Sequence, residues 1–523
     1  MRTTLVALPL VAVAQALVHE HKSASTSSEA IADSYIIKFK DHVDDSAAKE
    51  HHTWVTQLHS SGQEQQRLEL RKRSDFSIEA DIFAGMKHTY RIGELFRGYA
   101  GHFHESTIEE IRKHPDVEYV EPDITVHITR PVDSDQPAAE DECDGDLEKE
   151  APWGLARVSH RDRLNFGSFS KYLYASDAGE GVDAYVIDTG CNTEHVDFDG
   201  RAHWGKTIPV GDADEDGNGH GTHCSGTIAG KKYGVAKKAN IYAVKVLRSN
   251  GSGSMSDVVK GVEFAAIRHK EQVQAAKDGK RKGFKGSVAN MSLGGGKTTI
   301  LDRAVNAAVE SGIHFAVAAG NDNADACNYS PAAAEKPVTV GASALDDSRA
   351  YFSNYGKCTD IFAPGLSIKS TWIGSKYAVN TISGTSMASP HICGLLAYYL
   401  SLQPAQGSDF ALASITPKKL KADLISIATE GALSEIPSRT PNLLAWNGGG
   451  CSNFSKIVEA GGYRAKHVET TWEKVEDAAM EKVDEVTKGV KELGGKAEEF
   501  VSKTKKIFKE IHRIEEEFAE YIS

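Results

Sequence analysis

The hydrophobic positions of the chain fall into three successive patterns. In the first, over about residues 35–127, short alternating apolar runs are separated by segments with helical spacing. Strands that alternate with helices on this scale predict a small α+β domain. The predicted strands are 35–39, 98–103 and 117–120, and the predicted helices are 44–58 and a segment that begins at residue 106.

The second pattern covers residues 151–450, where apolar runs without alternation are separated by helical segments. Strands that are apolar on both faces belong to a parallel sheet covered by helices. Functional residues in such sheets gather at the carboxyl ends of the strands. This pattern therefore predicts an α/β domain with strands at 182–187, 241–246, 288–291, 315–319 and 338–340.

The third pattern follows residue 450. From Trp472 to Leu493, and again from Phe500 to Phe518, apolar residues recur mainly at steps of three and four, with Gly494-Gly495 between. This spacing predicts an amphipathic helical extension over residues 451–523. A helix docked on the main domain and a self-associating or membrane-surface helix are the alternatives that the pattern leaves open.

The two ends of the N-terminal region also have distinct compositions. Residues 1–16 combine Arg2, an apolar run and small residues at 14 and 16. This predicts a secretory signal peptide, which is too short to span a bilayer. Residues 130–150 are acidic and lack apolar periodicity, which predicts an exposed linker open to proteolysis. We therefore expect a signal peptide (1–16), a propeptide (17–150), an α/β domain (151–450) and the helical extension.

Charge and cysteine content narrow the class of protein. The net charge of −13 argues against nucleic acid as the main partner. The seven cysteines contain no C-x-x-C pair, so a cysteine zinc site is not expected. In an oxidising compartment, one or two disulfides would form and leave at least one free thiol. No other run is long and apolar enough for a transmembrane segment.

Three residues stand where nucleophilic hydrolysis needs them. Asp188 follows the strand 182–187, and His220 lies among small residues before a predicted helix. Ser386 lies at or just before the N-terminus of a predicted apolar helix, and we expect Pro390 in the first turn of that helix, where a missing N–H has no effect. Main-chain donors at such a helix start are available to an oxyanion.

These residue types form a known chemical unit. A serine hydroxyl needs a neutral imidazole to take its proton, and the imidazole needs a carboxylate to orient it. The chain order Asp, His, Ser is one of those in which this triad occurs. Asn321 follows the strand 315–319, and its side-chain N–H would join the Ser386 main-chain N–H as an oxyanion donor.

Taken singly, each of these four residues has an ordinary explanation: a strand-end cap, a structural or metal-binding histidine, a turn asparagine and a helix-capping serine. His220 and His223 are three apart without the H-E-x-x-H pattern, which disfavours a metalloprotease. Ala388 stands where G-x-S-x-G requires a second glycine, which disfavours an α/β-hydrolase. The four residues together favour a serine hydrolase of another type.

Three stretches resemble the signatures of the subtilisin-like serine proteases: Asp188-Thr-Gly190, His220-Gly-Thr-His223 and Gly384-Thr-Ser-Met-Ala-Ser-Pro390. The resemblance covers about residues 151–450. Within this family, the sequence is most similar to the proteinase K branch, because Cys224 directly follows His223. The stretches 245–252, 286–296 and 314–321 resemble the fungal vacuolar proteinase B (cerevisin) group within that branch.

The resemblance implies roles for further residues. Asp188, His220 and Ser386 match the triad, and Asn321 matches the oxyanion asparagine. Two extended segments match the walls of the S1 and S4 subsites, and a peptide bound there as an added strand is held by main-chain hydrogen bonds. Broad specificity, with apolar or aromatic residues before the cut, is therefore expected. The segments comprise Gly251, Ser252, Gly253, Ser292, Leu293 and Gly294.

The resemblance also implies a disulfide between Cys327 and Cys358 and a buried thiol at Cys224. Of four Asn-x-Ser sequons, we expect glycosylation only at Asn453, because it begins an exposed tail. The implied chemistry requires no cofactor and no metal. Structural calcium is compatible with the family, but no ligands are assigned to it.

The N-terminal α+β unit resembles the ferredoxin-like inhibitory propeptide of the same family. We therefore expect a serine endopeptidase zymogen, a monomer that acts on proteins and peptides, with its own propeptide as intramolecular inhibitor and folding template. The expected location is the secretory pathway, either vacuolar or secreted. The alternatives are a non-catalytic peptide-binding protein on the same fold and a membrane-associated scaffold driven by the helical extension.

Overall fold

The structure is a computed structural model, and it describes residues 30–73, 85–93, 95–128, 145–406 and 415–465. The predicted signal peptide, most of the acidic linker and the heptad pattern of 472–518 lie outside these ranges. No helix among the described residues is long and apolar enough to cross a membrane.

The N-terminal unit, here called the inhibitor domain after the propeptides that it resembles, is a small α+β fold built on four antiparallel strands in the order β2–β3–β1–β4. Ile37 and Phe39 pack under its two helices, whereas Ile36 points to the opposite face. This alternation is the period of two that the apolar pattern predicts. The elements are β1 (Ala30–Phe39), α1 (Asp45–Arg73), β2 (Gly85–Ile92), β3 (Phe96–His102), α2 (Glu105–Lys113) and β4 (Val117–Ile128).

One of these strands, β2, is not among the predicted elements. Only three of its eight residues are buried, and four polar residues interrupt its apolar positions. It is an edge strand whose buried Tyr90 and Ile92 join the same apolar cluster as helices of the following domain. Its apolar face is therefore completed by residues distant in sequence, which local periodicity does not report.

The second unit is an α/β domain, as predicted, and its sheet has ten strands. All five predicted strands lie side by side in this sheet, and each pair of neighbours among them is parallel. The central strands are buried on both faces because helices cover each side. The strands in spatial order are β21 (Tyr463–Arg464), β19 (Thr429–Glu430), β20 (Leu443–Leu444), β16 (Ile361–Pro364), β15 (Val338–Ser343), β13 (His314–Ala318), β11 (Gly286–Met291), β7 (Val182–Asp188), β9 (Asn240–Lys245) and β8 (Ala202–Thr207).

Helices cover this sheet in two groups. Residues of α4 and α7 share one apolar cluster, and residues of α5 and α6 share the other with the inhibitor domain. The helix α7 is buried along its whole length, which explains why its segment 392–400 is apolar on all sides. The helices are α3 (Trp153–Ser159), α4 (His220–Ala229), α5 (Met255–Lys277), α6 (Thr299–Glu310), α7 (Thr385–Ser401), α8 (Pro417–Ser426) and α9 (Phe454–Ala460), with short 3-10 turns at Val196–Phe198 and Ala326–Asn328.

The sheet of the inhibitor domain continues into the second domain. The end of β4 pairs antiparallel with two short strands, β10 (Ser252–Ser254) and β12 (Leu293–Gly296), and β12 also pairs with β14 (Tyr329–Ser330). The inhibitor domain thus contributes a strand between two strands of the α/β domain. Two antiparallel two-stranded sheets complete the fold: β5 (Asp146–Lys149) with β6 (Lys171–Tyr174), and β17 (Ile368–Thr371) with β18 (Val379–Ile382).

The cysteines divide into bridged and buried groups. A disulfide joins Cys327 and Cys358, and Cys451 is also disulfide-bonded. Cys191, Cys224 and Cys393 are free and buried. Burial raises the pKa of the Cys224 thiol well above its ordinary value, which favours an uncharged group that packs in the core.

Candidate active site

The strand β7 places Asp188 at the carboxyl end of the central sheet. Asp188 is fully buried, and its Oδ1 accepts from the Thr189 main-chain N–H at 2.7 Å. The same oxygen lies 2.8 Å from Nδ1 of His220, the first residue of α4. A carboxylate on this nitrogen leaves Nε2 as the nitrogen that can take a proton. His220 Nε2 is buried and has no hydrogen-bond partner among the described residues.

A buried carboxylate holds the loop that presents His220. Asp216 Oδ1 accepts from Thr189 Oγ1 at 2.9 Å and from the Gly219 N–H at 2.9 Å. Its Oδ2 accepts from the N–H of Thr222 at 2.9 Å and from the hydroxyl of the same residue at 2.6 Å. Asp216 therefore caps the first turn of α4 and ties it to the residue after Asp188.

Asp216 is not among the site residues predicted from the sequence. The local signal is an aspartate followed by Gly-Asn-Gly, which is typical of a turn before a helix. Gly219 has a φ of 100°, where a side chain would be strained, and an added Cβ would lie 2.6 Å from the Trp372 ring. Only a glycine fits this close approach before His220.

Ser386 is the second residue of α7, whose N-cap, Gly384, has a φ of 150° and a ψ of 161°, a region open almost only to glycine. The prediction that Pro390 lies in the first turn is wrong, because the helix begins at Thr385 and places the proline in its second turn. Proline has no N–H to donate to the carbonyl four residues earlier, which is that of Ser386.

Two side chains take over the bond that Pro390 cannot make. The Ser386 carbonyl oxygen accepts from Ser292 Oγ at 2.8 Å and from Cys224 Sγ at 3.4 Å. Ser386 Oγ donates to the Ser292 carbonyl at 3.1 Å. Ser386 is therefore fixed by β11–β12 residues and by α4, the helix that carries His220.

Asn321 lies after β13, next to the start of α7. Its Oδ1 accepts from the Thr385 N–H at 2.9 Å and from the Thr385 hydroxyl at 2.6 Å. These two bonds fix the orientation of the side-chain amide. Its Nδ2 is buried and has no hydrogen-bond partner among the described residues. A buried donor without an acceptor costs about 1–3 kcal/mol, which is typical of a site that awaits a ligand atom.

The structure brings the two predicted substrate segments to opposite sides of one groove. Ser252 and Gly253 of β10 pair with β4 on one side, and Leu293 and Gly294 of β12 pair with it on the other. Gly251 and Ser292 lie immediately before these strands. Ser254, which is not among the predicted residues, also pairs with β4.

The second histidine of α4 has a different environment from His220. His223 is fully buried, and its Nε2 lies 2.8 Å from the Ile368 carbonyl oxygen. Burial lowers the pKa of His223 to about 3, so this ring is neutral near neutral pH. The helix α4 thus carries one histidine paired with a carboxylate and, three residues later, a second one paired with a main-chain carbonyl.

Asp188, His220 and Cys224 have potential ligand atoms within 4.8 Å of one another. The hydrogen bond from His220 Nδ1 already occupies the carboxylate, and the buried thiol favours its protonated form. This set therefore does not fit a metal site.

Asn453, the predicted glycosylation site, is exposed and caps α9 by accepting from the Lys456 N–H at 3.1 Å.

Comparison with known proteins identifies the family. Residues 179–443 match the subtilase family, and residues 34–129 match the peptidase inhibitor I9 family. The chain belongs to the subtilase family. The inhibitor domain and the α/β domain of this subtilase therefore correspond to two recognised family units in the expected order.

Close relatives carry protease names. This subtilase is 64% identical over 498 residues to the subtilisin-like proteinase Spm1 of Pyricularia oryzae, covering 94% of this chain and 92% of the relative. It is 70% identical over 440 residues to the subtilisin-like serine protease Pen c 2 of Penicillium citrinum, covering 84% and 93%. A solved cold-adapted subtilisin-like serine proteinase matches with a TM-score of 0.50 and 44% identity, over 57% of this chain and 99% of that one.

These matches establish the class of activity. This subtilase is a serine protease with the subtilisin fold, and its I9 domain makes the whole chain a zymogen. Subtilase chemistry uses protein side chains and needs no cofactor.

Proposed function

We propose that this subtilase is a broad-specificity endopeptidase in which Asp188, His220 and Ser386 form the catalytic triad. The observation that carries this proposal is the buried 2.8 Å contact between Asp188 Oδ1 and His220 Nδ1 at the carboxyl end of β7. It leaves His220 Nε2, which has no hydrogen-bond partner among the described residues, available to take a proton.

In the proposed reaction, Ser386 Oγ attacks the scissile carbonyl while His220 Nε2 takes its proton. Asp188 keeps His220 in the correct tautomer and stabilises the imidazolium. His220 then gives the proton to the leaving amine, which leaves an acyl-enzyme on Ser386. A water molecule hydrolyses that ester by the same proton path in reverse, and Ser386 is regenerated.

The oxyanion of each tetrahedral intermediate would be held by Asn321 Nδ2 and the Ser386 main-chain N–H. The support is the buried Asn321 nitrogen without a partner among the described residues, together with the two Thr385 bonds that hold the amide in place. Donors that are already oriented need no reorganisation when charge develops, which makes this term large.

Substrates would bind as an added strand between β10 and β12. The support is that β4 already pairs with both strands through its main chain. Main-chain pairing tolerates many side chains, which supports broad specificity. Val126 of β4 is fully buried in the same apolar cluster as Leu293 and Leu247, which supports a preference for apolar residues upstream of the cut.

The inhibitor domain would block the groove until the chain cuts itself. Ile128 is the last residue of β4, and it pairs with Leu293. The preceding residue, Ser292, has the carbonyl oxygen that accepts from Ser386 Oγ. We therefore propose that the first cut falls at the first bonds after Ile128, upstream of the propeptide end at residue 150 that the sequence predicts. Residues 146–149 would stay with the mature enzyme, since β5 pairs with β6 and Glu148 lies 2.6 Å from Lys237 Nζ.

We also propose that the protein works in the secretory pathway, either in a vacuole or outside the cell. The Cys327–Cys358 disulfide supports an oxidising compartment. The vacuolar choice, glycosylation at Asn453, a monomeric state and a docked helical extension remain proposals that follow from the sequence.

The first experiment is labelling of the matured protein with a fluorophosphonate, followed by mapping of the labelled peptide. We expect the label on Ser386, and we expect the His220→Ala variant to lose it. The exposed His203 is a matched control, and His203→Ala should keep the label. No label on protein shown to lack the inhibitor domain would refute the triad assignment.

A second experiment tests maturation. Intact mass should show the wild-type precursor cut shortly after Ile128 and the Ser386→Ala precursor uncut. Normal processing of purified Ser386→Ala protein would refute self-cleavage, whereas a wild-type cut next to Ala151 would refute only the position.

A further inference from the structure

The inhibitor domain contains a cluster of histidine and aspartate side chains that catalysis does not use. His51 lies on α1, His114 is the C-cap of α2, and Asp116 immediately precedes β4. The potential ligand atoms of these three residues all lie within 4.8 Å of one another. Three separate elements of the fold therefore bring metal-binding side chains to one point.

The two histidine nitrogens have the spacing of metal ligands. His51 Nδ1 and His114 Nδ1 are 3.2 Å apart. Two nitrogens bound to tetrahedral zinc at 2.0–2.1 Å are about 3.3 Å apart. Asp116 Oδ2 lies 3.9 Å from His114 Nδ1 and needs a small side-chain rotation to complete the set. Metal binding would also replace the 3.2 Å contact from the Asp116 N–H to His114 Nδ1.

The surroundings hold the His51 ring in a ligand-like orientation. Its Nε2 lies 3.0 Å from the Tyr99 hydroxyl, and Tyr99 is fully buried. A histidine that ligates a metal through one nitrogen usually has such a partner on the other. The rings of Phe39 and Trp54 pack against His51 at centroid distances of 4.9 Å and 5.1 Å. This packing fixes the ring before any ion arrives.

The open side of the cluster faces solvent. His114 and Asp116 side chains are 24% and 28% exposed, which gives an ion a path to the buried His51. His42, on the loop between β1 and α1, has its Nε2 3.8 Å from Asp116 Oδ1 and is 69% exposed. A water molecule or His42 would fill the fourth position of a tetrahedral site.

We propose that His51, His114 and Asp116 form a transition-metal site in the inhibitor domain, with Zn²⁺ as the favoured ion. In the metal-free protein, one proton lies between the two Nδ1 atoms. When the metal binds, His51 carries this proton on Nε2 instead, where the Tyr99 hydroxyl turns from donor to acceptor, so both rings bind through Nδ1 as neutral imidazoles. The ion would join α1, the end of α2 and the start of β4. Its binding does not depend on the proposed catalytic roles, but its effect on inhibition does, because β4 continues into the substrate groove.

The test uses the full-length Ser386→Ala precursor, prepared without a polyhistidine tag and stripped with a chelator. Titration with Co²⁺ should give one equivalent with the strong visible absorption of tetrahedral coordination, and Zn²⁺ should displace it. The His114→Gln/Asp116→Asn double variant should lose this absorption and bind at least about tenfold more weakly. The exposed His203→Gln control should bind like the parent.

A second readout is thermal unfolding of the inhibitor domain. At Zn²⁺ 100-fold above its Kd, the folded-to-unfolded ratio should rise about 100-fold. If the double variant does not fold, Tyr99→Phe provides a milder test, since it removes only the bond to His51 Nε2 and should weaken Co²⁺ binding. Absence of tetrahedral absorption, or equal Co²⁺ binding by parent and variants, would show that the two histidines share only a hydrogen bond.

Discussion

The proposed catalytic centre and the surface that docks the inhibitor domain both lie at helix N-termini. They differ in whether a carboxylate already accepts from the donors there. At the centre, the first turn of α7 lies beside the buried Asn321 nitrogen, which has no partner among the described residues. At the docking surface, Asp123 Oδ1 of the inhibitor domain accepts from the Ser256 N–H of α5 at 3.0 Å. Glu121 Oε2 accepts from the Ile300 N–H of α6 at 3.3 Å.

The difference shows how one electrostatic feature serves two purposes. A helix N-terminus attracts negative charge through its unpaired donors and its dipole. At the docking surface, carboxylates of the inhibitor domain accept from the helix N–H groups, and water can accept from them once the inhibitor domain leaves. At the proposed catalytic centre the Asn321 donor is buried, and in the proposed mechanism it meets negative charge only during the reaction. Substitutions at the two places should therefore affect different measurements.

The largest expected effect is at the catalytic centre. His220→Ala removes the proposed base, and in subtilisin, a member of the same family, loss of this histidine lowers kcat about 2 × 10⁶-fold. We expect a loss of similar size, measured with a chromogenic peptide after an unrelated protease has removed the inhibitor domain. The unfolding midpoint should stay near that of the parent. A loss below about 100-fold would contradict the assignment.

Asn321→Leu should have the next largest effect. Loss of the equivalent donor in subtilisin lowers kcat by about 10²–10³-fold, and we expect kcat to fall in that range while KM changes little. Asn306, on α6 and away from the centre, is a matched control, and Asn306→Leu should leave kcat unchanged. Parallel losses in both variants would indicate damaged folding instead.

Asp123→Asn should instead weaken docking. The carboxylate accepts from Ser256 N–H and, through Oδ2, from the Ser256 and Ser34 hydroxyls at 2.6 Å and 3.1 Å. Hydrogen bonds to a charged group contribute about 1.5–3 kcal/mol, and about 1.4 kcal/mol corresponds to tenfold. Activity should therefore appear roughly tenfold faster after self-cleavage, with kcat of the mature enzyme unchanged. The exposed Glu109→Gln should behave like the parent.

The smallest effect concerns pH. Burial alone would raise the pKa of Asp257, but His88 and Lys87 of the inhibitor domain, at 2.8 Å and 3.1 Å, hold it below its ordinary value of 3.8. A lowered carboxyl pKa stabilises docking above pH 3.8, and this contribution is lost as pH falls through the lowered pKa.

Asp257→Asn should accordingly weaken docking near neutral pH and reduce its dependence on pH below about 4. The fraction of cleaved protein that keeps its inhibitor domain, measured by size-exclusion chromatography across pH, tests this. An unchanged pH profile in the variant would show that other groups control acid release.

Much of the framework was predictable because its signals are local. The apolar runs of the central strands and of α7 report burial directly, and the ends of those strands locate Asp188 and Asn321. Main-chain geometry explains Gly384, because few other residues adopt its backbone angles. Pro390 was misplaced because the helix start depends on Asn321 Oδ1, which accepts from the Thr385 N–H across 64 positions.

The sequence by itself determined which residues can carry out the chemistry and where strands and helices begin to bury them. Only the tertiary structure decided how those residues are held. Asp216 accepts hydrogen bonds from the loop around His220. Ser292 and Cys224 donate to the Ser386 carbonyl, to which Pro390 cannot donate, and Asp123 accepts from the first turn of α5. The physical reason is distance along the chain. Asp123 and Ser256 are 133 positions apart, and periodicity describes neighbours on one element, whereas a cap donated by another domain exists only after both have folded.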